Sequence, residues 1–175
     1  VCRGVNRAFN QIKENFPRVK MLQPSEKLGV PQLRALGVAN ACGDFVAITE
    51  DCCIPAENWL EEIIKSHKSG YDVVGGAIEN GSSDRPVNWA AYVFEYSQMM
   101  LPIPDGEVWC LAGNNTSYKR EIFNKIDVSI RNDYWEYFLH HELKKLEIRM
   151  LSVPTIVVRK RKEFSFVYFV KQRFY

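Results

Sequence analysis

The chain has 175 residues, 46% hydrophobic and 25% charged, the make-up of a globular protein with room for a substantial core and not of a disordered one. A formal net charge of +2 gives no overall drive towards nucleic acid. No stretch is long and apolar enough to cross a bilayer, nothing reads as a secretory leader, and five cysteines without a Cys-x-x-Cys pair point to reduced thiols in a cytoplasmic setting.

In chain order, Val5, Ala8, Phe9, Ile12 and Phe16 repeat at helical spacing until Pro17 stops them. Arg18–Leu22 reads as a short strand. Pro31 suits the first position of a helix over Gln32–Cys42, with Gly43 as its left-handed stop. The strand Phe45–Thr49 follows, then Pro55 opens a helix running to His67, in which Trp59, Leu60, Ile63 and Ile64 are apolar. Ser69-Gly70 turns the chain into a strand, Tyr71–Gly75. Helix and strand in alternation imply a mostly parallel sheet with crossover helices.

The second half is less regular. Asn88–Gln98 reads as an aromatic-rich helix, Met99–Val108 as a loop, Cys110–Ala112 as a short strand and Lys119–Lys125 as a small helix. Tyr134–Glu147 is a stronger helix with Trp135, Phe138, Leu139, Leu143 and Leu146 apolar, and with His140 and His141 expected at its surface. Two short strands, Ile148–Val153 and Thr155–Val158, lead to the basic run Arg159–Lys162 and an amphipathic end rich in Phe and Tyr. That end is suited to an anionic bilayer surface, or is simply a solvated face.

The chemistry-bearing residues cluster at predicted element ends. Glu50 and Asp51 close the strand that begins at Phe45, where carboxylates can hold a hard cation and through it a diphosphate. Gly75-Gly76 at a strand end allows a backbone to approach a ligand closely, or forms a plain turn. Asn115 can bond a sugar hydroxyl or a local turn.

Several segments, in this order, resemble the catalytic domain of inverting family-2 glycosyltransferases, which have the GT-A fold. Gly29–Asp44, with Arg34 and Gly43-Asp44, is similar to the family's arginine-bearing helix and the turn after it. Phe45–Pro55, ending at Trp59-Leu60, resembles the strand with the Asp-x-Asp motif. Val73–Gly76 and Leu111–Arg120 resemble the sugar- and acceptor-side segments, and Trp135-Glu136 the start of the catalytic-base helix. The resemblance implies an α/β, Rossmann-like sheet flanked by helices over residues 1–163. It would be incomplete at its N-terminus, because Val1–Phe16 looks like the helix after a second strand; 164–175 form the amphipathic appendage.

It also implies a nucleotide-sugar donor, a glycan or lipid-linked acceptor, and Mg²⁺ or Mn²⁺ held by Glu50, Asp51 and Cys52. Glu50-Asp51-Cys52 then stands for Asp-x-Asp, with a soft thiol in place of the second carboxylate; whether Glu50 or Asp51 is the ligand stays open. Glu136 falls at the base position, and also at the third position of a helix capped by Asp133. Arg34 could reach a phosphate or a neighbouring acid, or snorkel at the surface. Lys160 stands where relatives often carry a metal-completing histidine; it either meets the diphosphate directly or marks lost activity, leaving a binding scaffold. A nucleotidyltransferase is a third reading, disfavoured by the Gly113-Asn114-Asn115 and Trp135-Glu136 segments.

Overall fold

The computed structural model describes residues 11–127 and 136–174. Residues 11–15 are helical, and the remainder of the helix expected before Pro17 lies outside the described residues. The elements that follow are α1 (Val30–Asn40), β1 (Phe45–Ile48), β2 (Cys53–Pro55), α2 (Trp59–Lys68), β3 (Val73–Asn80) and α3 (Pro86–Tyr96). Then come β4 (Gly106–Val108), β5 (Thr116–Lys119), a 3₁₀ turn over Arg120–Asn124, α4 (Glu136–Lys145), β6 (Met150–Lys160) and α5 (Phe166–Phe174).

One sheet runs in the order β1-β5-β3-β6-β2, with β4 also on β6. β6 pairs parallel to β3, and β5 runs antiparallel to both β1 and β3. β1, β3 and β6 therefore point one way, as helix–strand alternation implies. The short strands β2, β4 and β5 run against that direction. This mixed α/β sheet flanked by helices has the GT-A, Rossmann-like form that the resemblance implied.

Several local expectations give way to tertiary context. Arg18–Leu22 is not a strand: no neighbouring strand pairs with it among the described residues, and Val19 is exposed. Gly43 is not a left-handed stop, because α1 ends at Ala41 in an extended conformation. Pro55 ends β2 rather than opening a helix. The strand expected at Cys110–Ala112 forms on either side of it, as β4 and β5. Gly70 does make the turn into β3, at φ +102°.

The two strands expected near Pro154 are one, β6, with an irregularity. Gly76 faces Val153 and Ala77 faces Val157, so Pro154, Thr155 and Ile156 fall out of register against β3. Proline has no N–H to give a ladder, and the slip is where it is tolerated. Asn115 repairs the slip: its amide donates to Ala77 O at 2.8 Å and Ile156 O at 2.9 Å, while its Oδ1 accepts from Trp59 Nε1 at 2.7 Å.

Val73, Val74, Ile78, Tyr118, Ile156 and Val158 are fully buried in the sheet. Each contributes roughly 1.5–3 kcal/mol through removal of apolar surface from water. On α4 the buried face is Leu139, His140 and Leu143, at i, i+1 and i+4, whereas Phe138 and Leu146 are exposed. His140 thus departs from the surface position expected for it; His141 alone is exposed.

Backbone N–H of Leu111 can only donate, so His140 Nδ1 is the acceptor and the proton sits on Nε2, facing Tyr118 Oη at 2.7 Å. Burial pushes the His140 pKa down from 6.5 to about 4. The unfolded chain takes up that proton near pH 6.5 and the folded chain only near 4, so this contribution is complete above 6.5 and drains as pH falls to 4. By pH 4 the loss reaches about 3 kcal/mol from this group. Urea midpoints measured from pH 7 to 4.5 should therefore fall more steeply for the native protein than for His140→Gln. Parallel slopes would reject the assignment.

Candidate active site

Two simple periodicities aim four charged side chains at one place. In β1, Val46 and Ile48 face inward and Phe45 and Ala47 outward; continued by two, the alternation turns Glu50 inward and leaves Asp51 exposed. In β6, Ile156, Val158 and Lys160 share the buried face while Arg159 points out to Glu79. On α1, Pro31, Arg34 and Val38 lie on one face at helical spacing. On α4, Glu136 lies on the same face as Leu139, His140 and Leu143. Asp133, the expected cap, and Trp135, the residue before Glu136, lie outside the described residues.

Arg34 joins the two acids. Its Nη1 donates to Glu136 Oε2 at 2.6 Å and its Nη2 to Glu50 Oε1 at 3.0 Å, with the guanidinium largely buried at 12% exposure. Lys160 Nζ donates to the other Glu50 oxygen at 2.5 Å and lies 5.7 Å from the Tyr96 ring centre. Charge-assisted bonds of this kind are about twice as strong as neutral ones and fix geometry.

Burial would raise the Glu50 pKa, but Lys160 and Arg34 outweigh it and hold the carboxyl below its ordinary range. For Lys160, burial works against the charge, and hydrogen bonds to Glu50 and Cys52 more than reverse it, so the ammonium is held firmly protonated. Arg34, Glu50, Tyr96, Gly113, Asn114 and Glu136 line a cavity of about 270 Å³. A neighbouring hollow of about 620 Å³ under the Met99–Val108 segment shares Met99, Cys110 and Leu111 with it.

Sequence reasoning passed over Gly113. A Cβ there would lie 2.6 Å from the Glu136 carboxyl carbon and 2.8 Å from its Oε1, so the glycine makes the space the carboxylate occupies. Its place in the quoted Leu111–Arg120 segment was the available signal.

Three expected ligand contacts are instead made by the chain itself. Asn115 is 1% exposed and its amide is committed to Ala77, Ile156 and Trp59, leaving it no part in a sugar contact. A Cβ on Gly75 would meet Asn115 O at 2.6 Å, and one on Gly76 would meet Ile156 O at 2.0 Å. Backbone does come close at these glycines, but it is backbone of this protein.

The expected Mg²⁺ or Mn²⁺ site does not match the donor set. The side chains that come together are Glu50, Cys52 and Cys53; Asp51 is not among them. Hard divalent ions take oxygen ligands, whereas this group offers one carboxylate and two sulfurs. Both carboxylate oxygens already hold cationic donors. Burial pushes the Cys53 thiol up, keeping it neutral. The four described cysteines, Cys42, Cys52, Cys53 and Cys110, form no disulfide with one another.

A sequence model of the family described as Glycosyl transferase family 2 matches residues 4–127. No curated protein matches the chain. Among solved structures, the mannosyltransferase PcManGT from Pyrobaculum calidifontis, in complex with GDP-Man and Mn²⁺, superposes with a TM-score of 0.61 at 17% identity, covering 98% of this chain and 48% of that one. A197 from STIV and a mycobacterial protein each give a TM-score of 0.48, at 17% and 14% identity, covering 84% and 90% of this chain and 74% and 50% of theirs. The chain spans about half the length of the mannosyltransferase, and their likeness is one of fold.

Proposed function

Because the chain belongs to glycosyl transferase family 2, we propose that it forms the catalytic part of an enzyme moving a sugar from a nucleotide-sugar donor to a glycan or lipid-linked acceptor with inversion. One observation supports the reading: Arg34 bonds both Glu136 and Glu50 at a shared cavity, with Lys160 on the other Glu50 oxygen, so a candidate base lies next to cationic side chains. Glu136 takes the proton of an acceptor hydroxyl as its oxygen bonds to the anomeric carbon. The bond from that carbon to the diphosphate oxygen breaks, and the electron pair leaves on the nucleoside diphosphate. Arg34 and Lys160 meet the charge that develops there. One displacement at one base inverts the anomeric centre.

On the acceptor side, exposed Trp109 and Tyr137 meet edge to face, their ring centres 6.0 Å apart, at the border of the two hollows. Their apolar faces suit a sugar ring. The test uses the full-length protein with UDP-glucose and GDP-mannose, following anomeric protons by NMR. The expected result is release of nucleoside diphosphate with a product of opposite anomeric configuration. Retained configuration would overturn inversion, and no turnover of any activated sugar would overturn the reading.

Residues 164–175 are proposed as a contact with an anionic membrane surface. No helix among the described residues is long and apolar enough to cross a membrane. Phe166, Val167 and Tyr168 of α5 are exposed, close to exposed Lys171. Arg173 belongs instead to the packing of α5 on α3, pairing with Glu95 over the Phe94 ring. Vesicles containing phosphatidylserine should sediment the protein at low salt and release it at high salt. Recovery wholly in the supernatant at low salt would end the idea.

A further inference from the structure

The mismatch between the rim of the sheet and a hard cation has a positive counterpart. Lys160 is 8% exposed, and its backbone is tied on both sides, opposite Cys53 of β2 and Asn80 of β3. An ammonium on an interior strand cannot swing away as one on a surface loop can. Beside it, Cys52 stands where a second carboxylate would complete a hard-ligand pair, and Glu50 is the one carboxylate in the group. A divalent ion bound to Glu50 would have to displace Lys160 or sit against it, and also against Arg34.

We propose that Lys160 takes the place of the divalent cation, so that this site binds the diphosphate of a nucleotide-sugar without a metal ion. This inference rests on the glycosyl-transfer reading and deepens it. An ammonium has three N–H donors; Glu50 Oε2 takes one, and the others face Cys52 and Tyr96, weaker acceptors that phosphate oxygens would displace on the same nitrogen. Glu50 then serves as the counter-ion that makes a buried lysine tolerable before the donor arrives. In the transfer step the leaving oxygen's charge is met by Lys160 and Arg34, while the acceptor's proton goes to Glu136.

The experiment is isothermal titration of the full-length protein with UDP and with GDP, in EDTA and again in excess Mn²⁺. The expected result is binding in EDTA that Mn²⁺ does not improve. Lys160→Met should weaken it by roughly tenfold or more, the worth of a lost charge-assisted bond. Lys160→Arg should restore most of the affinity. If Lys160→Met loses its cooperative thermal transition, Glu50→Gln/Lys160→Met removes both charges together and is expected to fold with the same loss of binding. Binding seen only with Mn²⁺ would overturn the metal-free site and leave sugar transfer standing. Native affinity in Lys160→Met or in the double variant would overturn it as well. No diphosphate binding under either condition would overturn both this inference and the reading beneath it.

Discussion

Glu136→Gln should abolish sugar transfer by the full-length protein while nucleoside diphosphate binding survives. Loss of a general base lowers turnover by about 10²–10⁴. Glutamine keeps the volume of the side chain and an oxygen for Arg34, which now bonds Glu136 at 2.6 Å, so the cavity wall stays in place. What disappears is the ability to accept a proton. Gly113→Ala approaches the same group from the opposite side. Its Cβ would press within 2.9 Å of both Glu136 oxygens, forcing the carboxylate out of position with the base chemically intact. Turnover should fall in both variants, in one because the proton acceptor is gone and in the other because it is displaced. Full turnover in Glu136→Gln would remove that residue from the mechanism.

Gly76→Ala should be the most destabilising single methyl in the described chain. The added carbon would lie 2.0 Å from Ile156 O and 2.5 Å from Val153 O, both rigid backbone atoms of β6. Either the out-of-register Pro154–Ile156 segment moves, breaking the bonds from Asn115 to Ala77 and Ile156, or β3 and β6 separate. Overpacking against backbone costs about 3 kcal/mol or more. For a chain of this size that lowers the melting temperature by about 6–12 °C. Gly37→Ala is the control, since nothing lies within 4 Å of its added carbon in α1. There the methyl should stabilise by about 0.5–1 kcal/mol through helix propensity. Calorimetric melting that found the two variants alike would contradict the packing described for β3 and β6.

Where the hydrophobic period was strong, the elements could be read before any coordinates. β1, α2, α3 and α4 fall within a few residues of their expected spans, because each buries one regular stripe, whereas β3 is buried on both faces and runs on to Asn80, five residues past its expected end. β2, β4 and β5 are three or four residues long and exist because neighbouring strands offer them a ladder, β6 for β2 and β4, β1 and β3 for β5. Arg18–Leu22 shows the reverse case, a strand-like composition with no ladder to join. His140 was misplaced because its hydrogen-bond partners, Leu111 and Tyr118, lie far away in the chain.

The four charged residues of the candidate site divide along the same line. Counting by two along β1 and β6 accounts for Glu50 and Lys160 lying inward and Asp51 and Arg159 outward, because the pleat of a strand is a local property. Sequence alone nonetheless leaves Glu50 against Asp51 open and ends the last strand at Val158. Helical spacing likewise accounts for the inward faces of Arg34 and Glu136, which sequence alone also leaves open. Which inward groups meet is not local. That Glu50 spends its oxygens on Arg34 and Lys160, that Gly113 makes room for Glu136, and that Asn115 serves a slipped strand all depend on contacts between residues 16 to 110 positions apart or on a register slip. The order of residues set the direction of each side chain; only the folded sheet set the partners, because a charge is satisfied by whatever lies within about 3 Å of it and not by its neighbours in sequence.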